Sequence, residues 1–173
     1  YNSTDLQWGH VHCAGNSSQR AKGSFGVRGD GATYENVNAS VDVHNDGKHV
    51  DVIIVDDPMA YDAAEWKSPS TNNSRFVQYQ WFNELNSIVS SIDDDSQTLP
   101  TGTKTYRQGT AEAEYHGMHV GSTVAGQHYG WAREANIYNM AITAAYASGQ
   151  RFSGLYVHDY IRAFHLNKAV NST

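Results

Sequence analysis

Four consecutive β-branched residues, Val52-Ile53-Ile54-Val55, sit inside the stretch "HVDVIIVDD", residues 49 to 57. In a β-strand successive side chains point to opposite faces. A strand with no polar alternate must therefore bury both faces. Such strands belong in the middle of a parallel sheet that is covered on both sides. This run constrains the chain more than any other feature, because it demands helices above and below a sheet.

The rest of the chain supplies them. "ANIYNMAI", residues 135 to 142, reads as a strand, and "RFVQYQWF", residues 75 to 82, as a second strand candidate. A helix is expected over about 115 to 127. There Gly117, Gly121 and Ala125, four apart, give a smooth face for close packing. A second helix is expected in "SGLYVHDYIRAFHLNKAV", with Val157, Tyr160, Ile161 and Phe164 as its apolar stripe. Residues 86 to 112 are polar and read as a long surface loop or hairpin. Residues 1 to 48 read as lead-in strands and turns, closing at Asn45-Asp46-Gly47. Strand alternating with helix is the pattern of an α/β domain. The expected fold is a parallel β-sheet with helices on both faces, over residues 49 to 173. The strand that should follow the last helix is absent, so the sheet is expected to be incomplete at the C-terminus. The first residue is Tyr1 rather than Met, and the expectation is a piece of a longer protein.

Composition removes several classes of function. The 173 residues carry a net charge of −6. No basic footprint for nucleic acid follows from that balance. No run of about 18 apolar residues offers a membrane span. Cys13 is the single cysteine, so no disulfide can form within the chain.

Two residues stand where chemistry is usually placed. Asp56 ends the apolar strand, and in open α/β sheets ligands bind beyond the carboxyl ends of the strands. His116 opens the helix that begins "YHGMHVGSTVAG". A carboxylate that accepts a hydrogen bond from imidazole fixes its tautomer and stabilises its charged form. Asp56 and His116 therefore make a candidate orienter and general base.

At these residues the chain resembles subtilisin-like serine proteases. "VDVIIVDD" resembles their aspartate strand, "HGMHVGSTVAG" their histidine motif, and "GWAREANIYNMAI" the turn and strand that follow. "DDPMAYDAAEW", "GWAREANIYNM" and "YVHDYIRAFHLNKAVN" resemble, more narrowly, subtilase domains encoded by marine and cyanobacterial tailed phages. "LQWGHVHC" is similar to their lead-in. The resemblance runs from about Leu6 to Val170. It implies a subtilisin-like fold and serine-type endopeptidase activity with Asp56 as the orienting acid and His116 as the base. His119 would be a packed helix residue. It also implies a polypeptide substrate, and a place in a virion or tail-associated protein, or outside the cell. The other reading of the same resemblance is a catalytically inactive structural or receptor-contact module of a virion or fibre.

This sequence departs from the family pattern at named positions. Asp57-Pro58 replaces Ser/Thr-Gly after the aspartate, Met118 replaces a threonine, and Arg133 stands where the later turn carries proline. The family's nucleophile segment, Gly-Thr-Ser-Met-Ala, and its oxyanion-hole asparagine have no counterpart here. Ser122 lies within the His116 helix, and Ser153 lacks a Gly-x-Ser-x-Gly turn. The chain by itself is expected to be proteolytically inactive. Its expected partners are virion or fibre subunits, or its own missing C-terminal part.

The remaining motifs have plain readings. His10, His12 and Cys13 could ligate zinc, but no second cluster has the spacing of a metal site. Asp93-Asp94-Asp95 could hold calcium, and it matches no defined calcium loop. No cofactor follows from either. Arg28-Gly29-Asp30 is an adhesion tripeptide by sequence, and the favoured reading of Gly29-Asp30-Gly31 is a simple turn. The sequons at Asn2, Asn16, Asn38, Asn72 and Asn171 are triplets that an Asn- and Ser-rich chain makes by chance.

Overall fold

The computed structural model describes residues 45–92, 115–142 and 154–171. The chain divides into two units, Tyr1–Asp46 and Gly47–Thr173, and the description concerns the second. His10, His12, Cys13, the Arg28-Gly29-Asp30 tripeptide, Asp93–Asp95 and Ser153 lie outside the described residues.

In chain order the elements are strand β1 (Asp51–Asp56), a 3-10 turn (Ala64–Trp66), strand β2 (Phe76–Val77) and helix α1 (Trp81–Ile92). Helix α2 (Tyr115–Ala125), strand β3 (Asn136–Ala141) and helix α3 (Gly154–Asn171) follow. The three strands form one parallel sheet in the order β1-β3-β2. Asp51 is level with Asn136 and Asp56 with Ala141. The protein is an α/β domain with helices on both faces of a parallel sheet.

The four residues of that run divide between the faces in strict alternation. Ile53 and Val55 pack against a cluster formed by Trp81, Phe82, Leu85 and Val89 of α1 and Tyr156, Tyr160, Ala163 and Phe164 of α3. Val52 and Ile54 pack on the opposite face, with Met59, Trp66, Ile137 and the apolar side of α2. Tyr79, Trp81, Tyr138 and Phe164 meet largely edge to face at centroid separations of 5.0 to 6.4 Å. Such pairs add about 0.5–1.5 kcal/mol each beyond their buried area.

Three expectations need correction. Strand β1, expected in the middle of the sheet, lies at its edge among the described residues, and β3 stands between β1 and β2. The second strand is only Phe76–Val77. Residues Trp81–Ile92, expected as the end of a strand and the start of a loop, are helix α1. Trp81, Phe82, Leu85 and Val89 are buried and Ile88 packs beside them. That is helical spacing, broken up in the sequence by Asn83, Glu84, Asn86, Ser87 and Ser90. Propensity on the exposed face gave way to burial on the inner one. The other elements fall within two residues of expectation. The stripe on α3 is also confirmed, and Tyr156 and Ala163 widen it.

Candidate functional site

A helix that leads back into a parallel strand must run against the strand direction. The start of α2 therefore lies at the carboxyl edge of the sheet, where β1 ends. This topology brings Asp56 and His116 together, although they are sixty residues apart in the chain.

Close approach depends on the small residues of α2. A Cβ on Gly117 would stand 2.5 Å from the carbonyl oxygen of Asp57, and one on Gly121 would stand 2.4 Å from the end of Met59 and 3.1 Å from Trp66. With glycine at both positions the helix seats directly on the segment that follows β1. Ala125 completes the stripe and is fully buried. The smooth face expected from the sequence is thus present.

The segment after β1 is held from beneath by Asn139, a buried residue in the centre of β3. Its side-chain oxygen accepts the backbone N–H of Met59 at 2.8 Å. Its amide donates to the carbonyls of Ile54 at 3.3 Å and Asp57 at 3.2 Å. One side chain so replaces the ladder partners that the chain loses on leaving the strand. Asp56 adds a local clamp, its Oδ1 accepting the N–H of Asp57 at 2.7 Å.

His116 Nδ1 lies 2.8 Å from Oδ1 and 3.0 Å from Oδ2 of Asp56. A carboxylate can only accept, so Nδ1 carries the proton and Nε2 is left as the basic nitrogen. The carboxylate is mostly covered, at 15% exposure, while the imidazole is 74% exposed. An anchored orienter and an accessible base result. The hydrogen bond that His116 donates to Asp56 is the main cause that raises the His116 pKa above its ordinary value, the Asp56 charge adds to this, and the Asp57 charge contributes further. The positive end of the α2 dipole opposes a charged imidazole there, and the adjacent carboxylates outweigh it. The arrangement can take a proton at Nε2 and stabilise the imidazolium that forms. Ser122 is not a nucleophile for it: it is on the same helix, six residues on, roughly 9 Å along the axis.

His119, expected to be packed, is exposed. It stands two residues beyond Gly117, about 200° round the helix from the buried stripe. Arg133, the departure in the later turn, has its Nε donating to the carbonyl of Gln127, and so ties that turn to the end of α2. Sequence reasoning missed Asn139. The available signal was the second asparagine of "NIYNMA", set between Tyr138 and Met140 in mid-strand. It also missed Arg75, buried and donating to the carbonyls of Ala125 at 2.6 Å and Ala135 at 3.0 Å. Arg75 satisfies the C-terminus of α2, and burial pulls its pKa down.

Asp56, Asp57 and His116 each offer a ligand atom within 4.8 Å of the others. Among the described residues no helix is long and apolar enough to cross a membrane. In comparisons with known proteins, the chain matches no family model, no curated protein and no solved structure.

Proposed function

We propose that this chain carries the orienting acid, Asp56, and the general base, His116, of a subtilisin-like serine-type endopeptidase associated with a phage virion or tail, at the virion or outside the cell. The observation that carries the reading is the hydrogen bond from His116 Nδ1 to the mostly covered Asp56 carboxylate at the carboxyl edge of a parallel sheet. The resemblance in the aspartate and histidine segments supplies the reaction class. In the complete domain a serine outside this chain would give its proton to His116 Nε2 as its oxygen attacks the peptide carbonyl. His116 would pass that proton to the leaving amine, and water would then hydrolyse the acyl-enzyme. Asp56 would remain ionised and hold the ring in place.

The test is active-site labelling of the protein extended through its downstream coding sequence with a fluorophosphonate probe. Labelling that disappears in His116→Ala supports the reading. A folded extended protein that takes no label supports instead an inactive structural or receptor-contact module. For that reading Asp57-Pro58, in place of Ser/Thr-Gly, is the favouring observation.

A further inference from the structure

Asp57 plays no part in the hydrogen bonds that hold His116, yet its carboxylate completes a group of three donors around them. We propose that Asp56, Asp57 and His116 form a binding site for a divalent transition metal of the zinc class, and that the bound ion switches off the base. The site stands on these three side chains, and only its effect on the base rests on the proposed hydrolytic role of His116.

The donor set suits the ion. One imidazole and two carboxylates are ligands for zinc, and three protein ligands leave open positions for water. The spacing suits it too. Two ligands each about 2.1 Å from a metal lie roughly 3.0–3.4 Å apart at angles from square to tetrahedral. His116 Nδ1 is already 2.8 and 3.0 Å from the two oxygens of Asp56, so that edge of the site needs only a small opening. The third ligand lies within 4.8 Å, so it has at most about 1–2 Å to close. Rotation of the Asp57 side chain supplies that. Its backbone stays fixed, because its N–H is bound to Asp56 and its carbonyl to Asn139. The high exposure of the imidazole leaves an entry path.

The consequence for the base follows from proton balance. In the neutral ring the proton is on Nδ1. A metal ion taking the Nδ1 lone pair moves that proton to Nε2, and the ring stays neutral. Nε2 then donates, and it can no longer accept a proton from a nucleophile. Asp56, drawn to the ion, no longer orients the ring. Zinc binding and base function therefore exclude each other.

The experiment is a zinc titration of the 173-residue protein, followed at the ring resonances of its individual histidines by NMR. Reading His116 itself separates this site from any ion taken up elsewhere. The expected result is a saturable change at His116 while the exposed His119 and His158 are unmoved, with affinity reduced on the order of tenfold or more in Asp57→Asn. Overturning results are a His116 resonance that zinc does not move, a parallel change at His119 and His158, or an Asp57→Asn variant that binds as tightly as the parent. None of these outcomes depends on a serine or on turnover, so the proposed hydrolytic role stands or falls separately.

Discussion

Gly117 faces the carbonyl oxygen of Asp57 so closely that a methyl group on it would stand 2.5 Å away. This contact sets how near α2 can come to the end of β1, and so whether His116 reaches Asp56. Replacing Gly117 by alanine should push the helix outward, because the obstacle is backbone and cannot rotate aside. The expected cost is about 1–3 kcal/mol, partly offset by alanine's better helix propensity of about 1 kcal/mol. Urea denaturation measures the stability change, and the His116 resonance should move towards that of a free imidazole.

Asn139→Leu removes every hydrogen bond that the side chain makes to the segment after β1. It leaves the N–H of Met59 without its buried partner. Such a group costs about 1–3 kcal/mol. Thermal denaturation should show a loss of that size, and a stability equal to the parent's would show that Asn139 merely fills space.

The raised pKa of His116 gives stability a pH dependence with a definite sign. The folded state binds the proton more tightly than the unfolded chain, so the contribution is fully present below about 6.5, the ordinary histidine value. It is lost as pH rises through the higher folded value. Removing Asp57's charge should lower that folded value, since the charge helps raise it. In an active extended protein, where the base must be neutral, the rising limb of the rate profile should then shift to lower pH in Asp57→Asn. A limb that stays in place would contradict the charge's role.

His119→Leu should leave stability within about 0.5 kcal/mol of the parent, as exposed substitutions usually do. Trp66→Ala should cost about 3–5 kcal/mol, because Trp66 is fully buried under α2. The two changes, measured side by side by denaturation, test which face of α2 is packed.

The legible parts of the sequence were those whose pattern has one physical solution. Val52 to Val55 call for cover on both faces, and they divide between two cores, with Ile54 buried and the other three partly buried. Asp56 at a strand end and His116 at a helix start needed only parallel topology to meet. Helix α1 was hidden because Asn83, Asn86, Ser87 and Ser90 look like loop residues until the buried stripe beneath them is known. Asn139 and Arg75 were hidden for another reason. Each is a polar residue whose partners are backbone atoms distant in sequence, and no local pattern encodes them. The packed position of His119 was implied by the family resemblance, whereas the glycine stripe of this helix turns His119 to the exposed side.

The most direct test of the Asp56–His116 pair is an NMR pH titration of the His116 ring in the parent protein and in Asp56→Asn. The expected result is a midpoint above 6.5, the ordinary value, that falls when the carboxylate is removed, with His119 unchanged as an internal control. A His116 midpoint at the ordinary value, identical in both proteins, would contradict the pairing and with it the base assigned to this site.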